Sequence, residues 1–124
     1  MNPPTVLIVD DELHMVRLLA LSLKPLQLNL RSAQSGREAL HLIRNEPIDL
    51  ALFDLHMQDI DGLTAVREIR ANGPRPQLPI ILLTGAGESY LETQGRALGV
   101  QAFFRKPFSP AELAACVRTL LAPV

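Results

Sequence analysis

Hydrophobic positions along the chain follow two alternating patterns. Short, uninterrupted apolar runs at Thr5–Val9, Ile48–Phe53, Pro79–Leu83 and Val100–Phe104 have the length of strands and no polar alternation, which predicts strands buried on both faces. A fifth stretch, Leu26–Arg31, alternates Leu26, Leu28 and Leu30 with polar neighbours and predicts a half-exposed edge strand. Between these runs lie amphipathic segments with helical start signals. Ser35-Gly36-Arg37-Glu38, Ser89-Tyr90-Leu91-Glu92 and Ser109-Pro110-Ala111-Glu112 each have capping-box spacing, the last with proline at the first helical position. Glu12–Lys24 and Gly62–Ala71 supply two more helices, stopped before Pro25 and at Asn72-Gly73-Pro74. In the last helix Leu113, Val117, Leu120 and Leu121 share one stripe, with Cys116 beside them as a small core hydrophobe. Strand and helix therefore alternate five times with short connections. That order predicts an α/β fold, (βα)5, with a doubly wound five-stranded parallel sheet covered by helices on both faces, because parallel strands need right-handed crossovers.

Composition bounds what such a chain can do. Its 124 residues, 48% hydrophobic and 20% charged, suit one domain with a real core, here placed at residues 4–122 with no output domain in this chain. Twelve Lys+Arg against thirteen Asp+Glu give a net charge of -1, which argues against direct nucleic acid binding through bulk positive charge. The single cysteine excludes an internal disulfide and a cysteine zinc cage. No apolar run approaches the roughly 20 residues that span a bilayer. Met1-Asn2-Pro3-Pro4 carries no secretory signal features. A soluble, cytoplasmic domain without a membrane partner is the expectation. The near-neutral charge is also an average. Six acids (Asp10, Asp11, Glu12, Asp54, Asp59 and Asp61) fall in two short stretches free of Lys and Arg, a local acidic cluster suited to a cation.

Ligands of open α/β sheets bind beyond the carboxyl ends of the strands, where strand order reverses. The first predicted strand ends in Asp10-Asp11-Glu12, the third in Asp54, the fourth in Thr84 and the fifth in Lys106-Pro107. If the first and third strands are neighbours, Asp10, Asp11 and Asp54 converge. Two carboxylates about 4 Å apart repel by roughly 4 kcal/mol at an effective dielectric near 20. A hard divalent cation is the natural compensator. Lys106, one of only two lysines, adds a point charge suited to a phosphate oxygen. Asp10-Asp11 read alone could equally cap the first helix, and His14, His41 and His56 show no metal-ligand spacing.

These residues, in this order along nearly the whole chain, resemble the receiver domain of two-component response regulators. The resemblance implies a flavodoxin/CheY-like fold with strand order 2-1-3-4-5. It implies a phosphorylation-dependent signalling switch in which Asp54 is the phosphoacceptor, attacking a phosphoryl group carried by a sensor histidine kinase, a phosphotransfer protein or a small phosphodonor. It further implies Mg²⁺ as cofactor, bound by Asp11, Asp54 and the backbone carbonyl of His56, with Asp10 acting through water. Thr84 and Lys106 would contact the phosphoryl oxygens. Thr84 and Phe103 would form a switch that reshapes the surface of the fourth helix, fifth strand and fifth helix. That surface would then be read by an unknown output partner, by a C-terminal effector domain or by a second copy in a phosphorylation-dependent homodimer. The Lys106-Pro107 bond is expected cis. The chain would be no enzyme toward other substrates, undergoing only its own Mg²⁺-dependent phosphorylation and slow autodephosphorylation.

Three departures from the family pattern stand out. Gln58 occupies a common proline position and leaves the approach to Asp54 less stiff. Phe103 replaces a frequent tyrosine and removes a hydroxyl. His56 and Ala86 stand where the family tunes the lifetime of the aspartyl phosphate. A phosphoaspartate hydrolase of the haloacid-dehalogenase type would need a second aspartate at position 56, and has a histidine there instead. A receiver-like docking module acting without phosphorylation is the remaining alternative.

Overall fold

The computed structural model describes residues 2–85 and 87–122. Among them, five strands alternate with five α-helices: β1 Thr5–Val9, α1 Leu13–Leu23, β2 Asn29–Ala33, α2 Gly36–Asn45, β3 Leu50–Asp54, α3 Gly62–Asn72, β4 Ile80–Thr84, α4 Ser89–Ala97, β5 Ala102–Arg105 and α5 Pro110–Leu121. All neighbouring strands pair in parallel, in the order β2-β1-β3-β4-β5, so the fold is the CheY-like doubly wound sheet. No helix among the described residues is long and apolar enough to cross a membrane.

The uninterrupted apolar runs bury both faces of the central strands. Leu7, Val9, Ala51, Phe53, Ile80 and Leu82 face a layer formed by Ala39, Leu42 and Ile43 of α2 with Leu63, Val66 and Ile69 of α3. Val6, Ile8, Leu50, Leu52, Ile81 and Leu83 face Val16, Leu19 and Leu23 of α1 with Leu113 and Val117 of α5. Successive residues thus point into opposite cores, as the pleat requires. Burying one such leucine or isoleucine contributes about 1.5–3 kcal/mol, so the middle of the sheet is the rigid part on which the strand ends are mounted. Cys116 is half-buried against the α1/α5 core, and burial pushes its thiol pKa up.

The edges depart from expectation. The second strand begins at Asn29, after a 3-10 turn at Lys24–Leu26 and a left-handed Gln27 with φ 54°. Pro25 ends the α-helix but not the helical course, because its nitrogen carries no hydrogen to donate and proline sits without penalty where a turn begins. Leu26, Leu28 and Leu30 still pack on the α1/α5 core, so their alternation reports burial across turn and strand rather than one strand. The β5 strand is half-buried instead of buried on both faces, because it forms the other edge of the sheet.

Among the described side chains, two of the expected capping boxes form. Ser35 Oγ accepts the Glu38 amide at 3.0 Å and Ser109 Oγ accepts the Glu112 amide at 3.2 Å, with Pro110 opening α5. The third motif does coincide with a helix start, but α4 begins at Ser89 itself and Glu88 occupies the capping position. Two features outside the hydrophobic pattern tie the loops together. The Arg70 guanidinium donates to the carbonyls of Pro76, Leu78, Leu98 and Gly99, joining the approaches to β4 and β5. Asp59, in the loop after β3, accepts the Gly36 and Arg37 amides at 3.0 and 2.9 Å and so caps α2 from a distant segment.

Slight burial raises the Asp59 carboxyl pKa, but the amides of Arg37, Gly36 and Ile60 outweigh it and hold it below its ordinary 3.8. A lowered folded value means stability that is complete above the ordinary value and lost as pH falls through the folded one. We therefore expect Asp59→Ala to lose about 1 kcal/mol at neutral pH. The gap to the wild type should close in acid, read from urea midpoints across pH. A gap independent of pH would remove Asp59 from this capping role.

Candidate functional site

Register places the candidate residues together. Val9 pairs with Phe53 and Thr84 with Arg105, so Asp10, Asp54, Thr84 and Lys106 all project from the same end of the sheet. Backbone bonds hold the ends in place: the Asp10 amide donates to Ala33 O at 3.1 Å and the Lys106 amide to Thr84 O at 2.8 Å. The Lys106–Pro107 peptide bond is cis, as expected.

The side chains are nearly dry. Asp10, Asp54 and Thr84 are 0%, 3% and 1% exposed. Lys106 Nζ lies 3.2 Å from Asp54 Oδ1 and 3.7 Å from Asp10 Oδ2. It is the one cation within ion-pair distance of either carboxylate among the described residues. The His56 amide donates to Asp54 Oδ1 at 3.3 Å, and the Glu12 amide to Asp10 Oδ1 at 3.0 Å. Burial pushes the Asp10 carboxyl pKa up. The Glu12 amide opposes that, Asp54 and Asp11 reinforce it, and Lys106 opposes it.

Among the described residues, two buried side-chain atoms have no hydrogen-bond partner, Asp10 Oδ2 and Thr84 Oγ1. Each such atom costs about 1–3 kcal/mol when left unsatisfied. Both belong to this site, so the fold carries the cost of a ligand-ready arrangement. The carboxylates of Asp10, Asp11 and Glu12 converge within 4.8 Å of one another, an all-oxygen, net-negative set that fits a hard divalent cation. Asp54, expected as a ligand, lies outside this group of three and is tied to Asp10 by the shared Lys106 ammonium. Glu12 belonged to the expected acidic cluster but not to the ligand set that the family resemblance implied. Conversely, Asp59 and Asp61 leave the expected acidic cluster: Asp59 caps α2, and Asp61 caps α3 by accepting the Thr64 amide at 2.8 Å.

The loop after β3, which carries Gln58, is held by several contacts. Besides the Asp59 cap, Leu55 is buried, Met57 and Ile60 pack on the α2/α3 core, and the Gly62 amide donates to Leu55 O at 3.0 Å. Phe103 is half-buried on β5. His56 is exposed, but its imidazole meets Glu88, a residue that sequence patterning did not single out. Ala86 lies outside the described residues.

Comparison with known proteins identifies the family. The family model described as the response regulator receiver domain matches residues 6–118. The chain belongs to the response-regulator receiver family. Its relatives include the transcriptional regulatory protein ResD of Bacillus subtilis, 37% identical over 97% of this chain and 49% of the relative. The probable transcriptional regulator ycf27 of Cyanophora paradoxa is 35% identical over the same shares of each chain. The chain thus spans about half the length of these curated relatives. The crystal structure of a putative response regulator from Chloroflexus aurantiacus superimposes with a TM-score of 0.90 at 35% identity, over 98% of this chain and all of the other. Phosphorylation-dependent switching is the general role of the family.

Among the described residues of this receiver domain, Lys106 is the one cation that offsets the two buried carboxylates. Removing one partner of such a group exposes the others' unpaired charge, at a cost of roughly 3–5 kcal/mol when fully buried. We expect Lys106→Gln to fall near the lower end, since the lysine is partly exposed. Adding Asp54→Asn should restore much of the loss by removing one unpaired charge. Urea denaturation of the two single variants and the double variant checks this; purely additive losses would contradict it.

Proposed function

We propose that this receiver domain is a two-component switch in which Asp54 accepts a phosphoryl group from a sensor histidine kinase or a phosphotransfer protein. The observation that carries the reading is the buried Asp54 carboxylate against Lys106, flanked by the unpartnered Thr84 Oγ1 and Asp10 Oδ2. An Asp54 oxygen would form a bond to phosphorus as the bond from phosphorus to the donor breaks, the electron pair leaving with the donor. Lys106 then meets a phosphoryl oxygen, and Thr84 Oγ1 gains the acceptor it lacks. Asp10, Asp11, Asp54 and the His56 carbonyl would hold Mg²⁺, with Glu12 close by; when bound, the ion supplies charge neutralisation for donor and acceptor oxygens. Positioning and neutralisation suffice for this chemistry, so no further catalytic group is required and no other substrate is turned over.

The consequence is a population shift. A hydrogen bond from Thr84 to a phosphoryl oxygen is charge-assisted and worth about 1.5–3 kcal/mol. The opposing contact is modest. Phe103 lies against Gly95 of α4, where a Cβ would sit 2.7 Å from its Cε1, and the Arg96 guanidinium stands 5.1 Å above the ring. That cation–π contact contributes about 0.5–1 kcal/mol at an exposed position. Thr84 turning toward the phosphoryl group can therefore outweigh it, letting Phe103 move inward and remodel the face of α4, β5 and α5. That face would address an output partner, a linked effector or a second copy in the cytoplasm. The relatives named as transcriptional regulators make control of transcription the matching output for a longer chain.

Intact mass spectrometry with Mg²⁺ and acetyl phosphate tests the acceptor. The expected result is a single adduct of about 80 Da that disappears without Mg²⁺ and in Asp54→Asn. An adduct that persists in Asp54→Asn would place the chemistry elsewhere. No adduct from acetyl phosphate or from a phosphorylated kinase would leave the docking-module reading standing.

A further inference from the structure

The capping position of α4 holds a glutamate whose side chain does not cap its own helix. Glu88 instead reaches across the mouth of the site. Its Oε1 accepts the amide of Gly85, the residue after Thr84, and its Oε2 meets Nε2 of His56, two residues after Asp54. A carboxylate only accepts, so Nε2 carries the proton in that contact. The Glu88 side chain is 12% exposed, whereas the His56 ring is 70% exposed. A largely buried carboxylate therefore links the loop after β3 to the loop after β4, on either side of Asp54. Gly85 permits the approach, since a Cβ there would lie 2.9 Å from Glu88 Oε1.

We propose that Glu88 is an internal anionic placeholder, holding the Gly85 amide and the His56 ring in the unmodified protein and yielding them when Asp54 is phosphorylated. The inference rests on Asp54 being the acceptor. A phosphoryl group brings a charge of about -2 to a site that already contains Asp54, Asp10 and Asp11. The donors flanking it, the Gly85 amide next to Thr84 and the His56 ring, are held by Glu88. Two anions cannot share those donors without repulsion, so the incoming group must displace the carboxylate. Displacement frees the residue that precedes α4, and the helix that carries Gly95 and Arg96 against Phe103 loses its tie to the site. Glu88 is thus a positioning residue: it slows modification and couples it to the α4 face.

Time courses of acetyl phosphate labelling in Mg²⁺, read by intact mass, test this. Glu88→Ala should label on the order of threefold to tenfold faster than wild type. Glu88→Gln, which keeps an acceptor but not the charge, should fall between them. Gly85→Ala, which crowds the carboxylate from the other side, should also accelerate labelling. A second readout needs no phosphorylation: the Gly85 amide resonance of unmodified Glu88→Ala should shift away from its wild-type position. In phosphorylated wild type the His56 ring resonances should approach those of unmodified Glu88→Ala. A wild-type adduct with no acceleration in either Glu88→Ala or Gly85→Ala overturns the placeholder role alone. No adduct on any Asp54-containing form overturns the acceptor assignment and this inference with it.

Discussion

Asp10 and Asp54 stand side by side at the dry end of a parallel sheet with one lysine between them. Much of the site's organisation follows from that crowding. The carboxylates are delivered by β1 and β3, whose alternate residues fill two cores and cannot move apart without opening both. Burial therefore raises the Asp10 pKa, and the neighbouring acids raise it further. One ammonium at 3.2 and 3.7 Å cannot satisfy every lone pair, which is why Asp10 Oδ2 stays without a hydrogen bond. A hydrophobic pair would be cheaper in stability at these positions. The arrangement makes sense as a place where positive charge and a phosphoryl group are received.

The same electrostatics extends outward through the loops. Thr84 leaves the sheet with its hydroxyl unpaired, and the next amide is held by Glu88, which also takes His56. Through these contacts, one residue from Thr84, charge arriving at Asp54 would be felt at α4. Phe103 on β5 packs on the α2/α3 core against Gly95, with the Arg96 guanidinium over its ring. A rigid sheet with loosely held periphery suits a two-state switch.

How far the sequence foretold this depended on the kind of signal. The central strands were legible because burial on both faces forces an uninterrupted apolar run, and each run ends in the residue it delivers. Asp10, Asp54 and Thr84 were legible for that reason, Lys106 from the apolar run of the edge strand β5, and the family motif added the cis bond at Pro107. The sheet edges were less so: Leu26, Leu28 and Leu30 alternate in burial, but a left-handed Gln27 divides them between turn and strand. Position along the chain also misjudged the acids. Asp59 and Asp61 sit close to Asp54 in sequence but neutralise helix amides instead. Glu88 and Arg70 carried no periodic signal, because their partners are loop carbonyls, amides and rings brought together only by the folded chain.

The central claim is that the carboxylates beside Asp54 form an under-neutralised site for a divalent cation. Its most direct test is an Mg²⁺ titration of the unmodified protein followed by backbone amide resonances. Saturable shifts confined to Asp10–Glu12, Asp54–His56 and the Lys106 amide, and lost in Asp11→Asn, are the predicted result. Absence of saturation, or shifts centred at the opposite end of the sheet around Asp49 and Arg75, would contradict the account.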